Sequence, residues 1–366
     1  MKYIVGIVRW LVGLLFIFSG LVKANDPLGL SYKMQEFFEA WHWSFFDNFS
    51  LYMAFGMNIL EILAGLAIII GWQSKFFSRL LLILIIFFTF LTSYVLFSGK
   101  IKTCGCFGDC IPLTPIQTFT KDVILLVLII FLTLTYKYIK PIFASTSSLF
   151  ILIIVVGLIC IMQWYVLRHL PFVDCLPYKV GNNLIEEMKT PPNAVPDTYS
   201  YTFEYEKNGK KFHFSEDNLP DDLDSTYEFI GRKATLVKKG NGLTAAITDF
   251  TLQTPTGTDT TQAILQTPGK YILFFAKDFD NIDRWKSMFE AIYDEAKSKQ
   301  IPLFLVTAQM HAAEKFFPTV PLLQCDATVM KTAARVNPTY IIMQGPVVLQ
   351  KISFADAFKV MAFLKK

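Results

Sequence analysis

The chain has 366 residues, of which 53% are hydrophobic and only 17% charged, with a formal net charge of +4. Its mean hydropathy of +0.42 excludes an ordinary soluble protein, and the partner this composition demands is a lipid bilayer rather than nucleic acid. The apolar residues are concentrated in the first half, whereas the second half reads as a water-soluble domain.

Five segments approach the roughly 20 residues needed to cross a hydrocarbon core: Tyr3–Val22, Leu51–Gly71, Leu80–Phe97, about Phe119–Tyr138 and Leu149–Leu167. Spanning segments must be helical, because lipid offers no partner for free backbone groups. Lys121 and Asp122 lie near the start of the fourth. Val22-Lys23-Ala24 would pass as a cleavage site, but Arg9 interrupts the apolar run and Ser19-Gly20 suits helix packing, so the first segment is read as retained. Arg9 and Glu61 are ionisable residues within predicted spans, and such charges usually face the bundle interior and pair. At about 1.5 Å per residue they lie roughly 10 and 15 Å from the inner ends of their antiparallel helices. An Arg9–Glu61 pair is therefore expected, with Asn58 one turn away. It serves either packing or a proton or quinone-headgroup site.

The short inner loops carry Lys2, Lys75, Arg79, Lys137 and Lys140 without acidic neighbours, although the outer loops (Lys102 among their residues) hold about as many basic residues. An inside N-terminus is chosen on the acid-free loops and on the cysteines. The chain is then a multi-pass inner (plasma) membrane protein with everything after Leu170, to Lys366, extracytoplasmic.

Between the third and fourth segments stand Cys104-Gly105-Cys106-Phe107-Gly108-Asp109-Cys110. A closed metal site wants four ligands, and none of the four histidines (His42, His169, His213, His311) flanks the cluster, so no metal is expected. Two readings remain open. Cys104 or Cys106 bonded to Cys110 would staple the loop, or the three thiols are redox-active. A Cys104–Cys106 ring is strained, and strained disulfides are the labile, oxidising ones. A resting bond to Cys110 is favoured. Cys160 reads as packing, and Cys175 as a passive thiol on a tether.

The second half opens with Pro171–Pro196, whose five prolines suggest an extended tether. Thr198–Glu206 and Lys211–Ser215 then flank an Asn208-Gly209 hairpin turn. From about residue 245 the chain alternates: strand Ile247–Leu252, strand Tyr271–Phe275, a helix near Ile282–Lys299, strand Ile301–Val306, a helix near Ala327–Arg335, strands Tyr340–Met343 and Val347–Ile352, and a helix Phe354–Leu364. The expected fold is thus a membrane all-α bundle (1–170), a tether with a hairpin (171–240) and an α/β domain (241–366).

Two resemblances carry the reading further. Arg9-Trp10-Leu11-Val12-Gly13 with Ser19-Gly20-Leu21-Val22-Lys23 and Asp26-Pro27, over residues 1–140, resembles DoxX-type membrane proteins, and Cys104-Gly105-Cys106-Phe107-Gly108 resembles their MauE (methylamine utilisation) branch. This implies a compact helical bundle with a disulfide or electron-transfer role at its outer face. Ala334-Arg335-Val336-Asn337-Pro338-Thr339-Tyr340 resembles the loop before the fourth core strand of thioredoxins in their TlpA-like or peroxiredoxin-like form, over residues 245–366. It implies a cis Pro338 followed by Thr339. The departure is that Phe279 and Ile282 stand where that family places Cys-x-x-Cys, so this domain has no dithiol to react and a binding role is its default. Its thiol Cys325 reads as buried and inert. The expected function is assistance to extracytoplasmic thiol–disulfide redox or electron transfer, with a quinone as the candidate cofactor. The alternative is a non-enzymatic anchor or assembly factor for an extracytoplasmic protein partner.

Overall fold

The computed structural model describes residues 1–101, 103–195, 198–207, 209–220, 223, 226–238, 240 and 242–365; Lys102, Pro196, Asn208 and Lys366 lie outside the described residues. The first 170 residues form α1 (Lys2–Asn25), α2 (Pro27–Ala40), α3 (Ser50–Ile70), α4 (Ser74–Ser98), α5 (Pro115–Leu134) and α6 (Ser145–His169). All but α2 are long and apolar enough to cross a membrane, α3 together with the short turn before it. Local chemistry sets their ends. Gly71 and Gly99 adopt φ of 74° and 64° and stop α3 and α4 in the left-handed region. Thr114 and Gln117 make a reciprocal cap at the start of α5, with Pro115 in its first turn.

Small residues fix the register between α1 and α3. A Cβ on Gly13 would lie 2.7 Å from the Gly65 carbonyl oxygen, and one on Gly65 would lie 2.7 Å from that of Gly13. Neither position has room for a methyl group, and the helices meet backbone to backbone as small-residue membrane pairs do. With Gly13 level with Gly65 and Ile69, about two turns of α1 run past the inner end of α3.

That overhang overturns the expected Arg9–Glu61 pair, which assumed level inner ends. Arg9 reaches the end of α3, where its Nη1 donates to the Lys140 carbonyl at 2.9 Å. Glu61 faces Ser19 and Lys23 and is paired with Lys23. Asn58 does not serve the acid either; its Nδ2 donates to Gln163 Oε1 at 2.9 Å and ties α3 to α6.

Beyond the bundle lie α7 (Leu184–Glu187) and an antiparallel sheet of β1 (Thr198–Lys207), β2 (Lys210–Ser215) and β3 (Glu228–Lys238) in the order β2-β1-β3. The expected hairpin is β1–β2, with Gly209 at φ 75° in its turn; β3 was not expected. The α/β domain follows as α8 (Thr261–Leu265), β4 (Lys270–Phe275), α9 (Lys286–Ser298), β5 (Leu303–Thr307), α10 (Met310–Phe316), β6 (Leu322–Gln324), α11 (Ala327–Ala333), β7 (Thr339–Gln344), β8 (Val347–Ser353) and α12 (Phe358–Leu364). Its strand order is β6-β5-β4-β7-β8, with β4, β5 and β6 parallel and β7 antiparallel to both β4 and β8. Helices cover both faces, which is why β4 reads as the unbroken apolar run Tyr271-Ile272-Leu273-Phe274-Phe275: alternate residues enter the two cores.

Two expectations fail here. Residues 247–252 form no strand; Ile247, Phe250 and Leu252 are buried in irregular backbone beside the sheet. The proline-rich segment is no free tether. Leu176, Tyr178 and Leu184 are buried, the last two in the core with Phe250. Gly181 N–H donates to the Val348 carbonyl at 2.8 Å, Leu184 N–H to that of Pro346 at 2.9 Å, and Val348 N–H to that of Asn182 at 3.0 Å. This stretch therefore extends the edge at β8, and proline marks its turns rather than an extended spacer.

Candidate thiol site

Backbone turns bring Cys104 and Cys106 together. Gly105 between them adopts φ 72°, a conformation that costs glycine least. Both cysteines are free, and their sulfurs lie 3.2 Å apart in an S–H···S contact. The expected bond from either of them to Cys110 is absent. Cys110 is instead joined to Cys175, 65 residues away, across a Cα separation of 4.8 Å. The reason is the path of the chain after α6. Asn25, at the end of α1, accepts from Val173 N–H at 3.2 Å and donates to the Val173 carbonyl at 2.8 Å, and this holds Cys175 against the loop.

Charges surround the thiol pair. Ser19 Oγ lies 3.0 Å from the Cys106 carbonyl oxygen and 3.1 Å from Glu61 Oε2. Lys23 and Glu61 form an ion pair that is almost wholly buried. Lys121 Nζ meets Asp122 at 2.5 Å and lies 4.9 Å from the centre of the Phe107 ring. The hydrogen bond with Cys104, helped by Lys121 and Lys23, holds the Cys106 thiol below its ordinary value, against burial and Asp122. The same bond, with burial, pushes Cys104 up. The two sulfurs are thus electrostatically unequal, with Cys106 the readier of the two to give up its proton.

The α/β domain sits on this end of the bundle and presents one particular face to it. Asn337–Pro338 is cis. Asn337 Oδ1 accepts from Lys277 N–H at 2.7 Å, while Asn337 Nδ2 donates to the Asp278 carbonyl at 3.0 Å. The loop before β7 is thereby tied to the loop after β4, and Thr339 Oγ1 donates to the Val336 carbonyl at 2.7 Å. Arg335 beside them bridges Asp26 at 2.8 Å and Asp109 at 2.5 Å. Burial alone would pull Arg335 down, but the two carboxylates raise it above its ordinary value. Lys277 Nζ donates to Tyr32 Oη and to the Arg335 carbonyl, each at 3.0 Å, and burial pulls it down to about 8. Lys351–Asp174 and His169–Asp356, both at 2.8 Å, complete the contact.

No thiol of this domain reaches that face. Phe279 is buried against Trp285, Phe316 and Phe317, and Ile282 packs on the same core. Cys325 is buried elsewhere, with its thiol pushed to about 12 by desolvation. Among the described residues no group of three or more His, Cys, Asp or Glu side chains could hold a metal ion.

Of the residues singled out from sequence, Cys104 and Cys106 meet at the site, Cys110 lies beside it in a different bond, and Arg9 and Asn58 lie elsewhere in the bundle. Glu61 is at the site with another partner. Sequence reasoning missed Ser19, Lys121, Asp122, Cys175 and the bridging Arg335. Ser19 and Lys23 are four apart, hence on one helix face, and this was the available signal for the Lys23–Glu61 site.

These features define a multi-pass membrane protein whose helical bundle carries a thiol pair and whose C-terminal part is an α/β domain. Residues 1–135 match the family model described as Methylamine utilisation protein MauE, a span that includes Ser19, Lys23, Glu61 and the whole Cys104–Cys110 loop. Residues 199–239, the three-stranded sheet, match a domain of unknown function, DUF8463. The chain is similar to Protein TlpB of Flavobacterium psychrophilum, with 28% identity over 137 residues, 36% of this chain and 36% of that protein. The match thus spans about a third of the curated relative's length. No solved structure matches the chain.

Proposed function

We propose that this protein exchanges electrons with extracytoplasmic thiols through Cys104 and Cys106, and that its C-terminal domain is a thioredoxin-like binding domain without a thiol pair of its own. The observation that carries the reading is the pair itself: two free thiols in sulfur contact, electrostatically unequal, beside a third cysteine already closed into Cys110–Cys175. In the oxidised protein a Cys104–Cys106 disulfide closes a strained ring, which favours its reduction. An incoming dithiol attacks it through a mixed disulfide with Cys106, the less buried residue of the two, and Cys104 leaves. The substrate's second thiol then displaces Cys106. The substrate gains one S–S bond, the pair's S–S bond opens, and the two sulfurs take up the two protons released. The MauE match and the similarity to TlpB support a membrane protein tied to thiol chemistry. The strand order and the cis-proline loop support the thioredoxin-like assignment. The extracytoplasmic side is supported by a disulfide at the domain-bearing end of the bundle.

A second reading, a non-enzymatic assembly factor, is favoured by the Cys110–Cys175 staple and by a domain whose single thiol, Cys325, is buried. Alkylation trapping in cells separates the two. The Cys104/Cys106 pair is expected to shift between reduced and oxidised forms when an oxidant or reductant is supplied outside the cell, and Cys104→Ser is expected to leave Cys106 in mixed disulfides. A pair that stays reduced throughout, with no adduct on Cys106, leaves the assembly-factor reading.

A further inference from the structure

A dithiol that is oxidised and used again needs an electron acceptor, and the bundle holds a cavity where one fits. A space of about 280 Å³ lies between α2, α3 and α4 with Cys104 and Cys106 in its wall. Ligand pockets run from about 300 Å³ upward, so this one suits a small substituted ring system rather than a polypeptide. Its walls include Phe37, Trp41, Met57 and Phe88, offering aromatic and thioether surface to a flat ring. Its one buried cation is Lys23, whose remaining N–H groups are available beyond its pair with Glu61. The cavity opens on the flank of the bundle where Met53, Gly56 and Phe87 are exposed, at residues that the membrane-spanning segments place against lipid.

We propose that this cavity binds a lipid-soluble quinone, which oxidises the Cys104/Cys106 pair; the proposal rests on the redox reading above and names its electron acceptor. The quinone head enters from the bilayer between α3 and α4, its ring lies against Trp41 and Phe88, and its tail stays in lipid. Lys23 hydrogen-bonds a ring oxygen as negative charge builds there. The step balances: two S–H bonds break and the Cys104–Cys106 S–S bond forms, while two electrons and two protons convert the quinone to a quinol with two new O–H bonds. Glu61 holds Lys23 in place and belongs to the site as a positioning residue.

Gly56 gives the test an untroubled variant. A Cβ built there meets nothing within 4 Å, and Gly56 lies on the cavity wall within a helix, so Gly56→Leu starts a side chain in open space at the mouth of the cavity and is expected to narrow it. The full-length protein in nanodiscs would be pre-reduced at Cys104/Cys106 and mixed anaerobically with decylubiquinone or, separately, menaquinone-4. Both rings are fully substituted and form no thiol adducts. One quinol per protein is expected from the wild type with at least one of the two, with the rate reduced at least tenfold in Gly56→Leu and abolished in Cys104→Ser. The soluble thiol oxidant diamide should oxidise the pair equally in wild type and Gly56→Leu. If diamide oxidises the wild-type pair and neither quinone does, the quinone proposal is overturned and the redox reading stands. Equal quinone rates in wild type and Gly56→Leu overturn the site. A pair that diamide cannot close overturns the redox reading, and the proposal with it.

Discussion

On the proposed function, the two halves of this molecule divide what one thioredoxin domain ordinarily combines. The α/β domain offers a cis-proline loop and the neighbouring loop after β4 as a gripping surface, and packs Phe279 and Ile282, just beyond β4, into its core. The bundle has no such sheet, yet its Cys104–Cys106 turn carries two unequal thiols beside the buried Lys23–Glu61 pair and the partly buried Lys121–Asp122 pair. The gripping surface is spent on the bundle itself, through Arg335 to Asp26 and Asp109 and Lys277 to Tyr32. Recognition and chemistry are separable, because the first needs a rigid backbone edge and the second only local electrostatics.

The sharpest way to break this picture is to test whether the halves are one covalent unit. A protease site inserted after Pro171 would split the chain between α6 and Cys175. With Cys110–Cys175 intact the two fragments should migrate together on a non-reducing gel and separate on reduction. Cys175→Ser should separate them under both conditions. Fragments of the wild-type chain that part without reductant would show that the halves are held by non-covalent contacts alone.

Next in size is Phe279, in the loop after β4. Phe279 is 8% exposed, and truncating a buried phenylalanine costs about 3–5 kcal/mol. Phe279→Ala should lower the unfolding temperature of the α/β domain, read through Trp285, while Cys106 alkylation keeps its rate. A loss of thiol reactivity with stability unchanged would place Phe279 in the chemistry instead of the core.

The buried pair in the bundle should respond in the opposite pattern. Leaving one member of a buried ion pair unpartnered costs about 3 kcal/mol or more, whereas replacing both by apolar groups is often neutral. Lys23→Met alone should therefore depress folded yield and thermal stability more than Lys23→Met with Glu61→Leu. Equal losses would mean that the two charges act separately.

The sequence made the five spans legible, because length and hydropathy alone decide them. The β1–β2 hairpin and the cis-proline loop were legible as well, since Asn208-Gly209 and Pro338-Thr339 are local signals. What escaped was set by distance and level. The Cys110–Cys175 bond depends on Asn25 gripping Val173, a contact between residues 148 apart. The Lys23–Glu61 pair depends on a Gly13–Gly65 contact that fixes how far α1 overhangs α3, and no periodicity reports an overhang. Five prolines hid the apolar Leu176, Tyr178 and Leu184, which were the better guide to a docked segment. β3 exposes Phe229, Ile230 and Val237, so it lacks the alternation that marks a half-buried strand.

The smallest expected effect bears on how the bundle activates its sulfur. Cys106 is held below an ordinary thiol value first by its hydrogen bond with Cys104, then by Lys121 and Lys23, against burial and Asp122. A thiolate stabilised in this way persists as the pH falls toward neutrality, and alkylation tracks the thiolate fraction. The rate of Cys106 modification by a small iodoacetamide reagent, followed against pH with Cys160 and Cys325 replaced, should thus reach half its maximum below the ordinary thiol value. Cys104→Ala removes the sulfur partner, and burial and Asp122 then prevail over the two lysines. Its midpoint should move to higher pH and its rate at neutral pH should fall. Lys121→Met should move the midpoint in the same direction but less, because Lys121 acts only through charge and remains paired with Asp122. A Cys104→Ala midpoint at or below that of the wild type would mean that the neighbouring thiol does not activate Cys106. The lysines would then carry the activation, and the Lys121→Met shift would become the larger of the two.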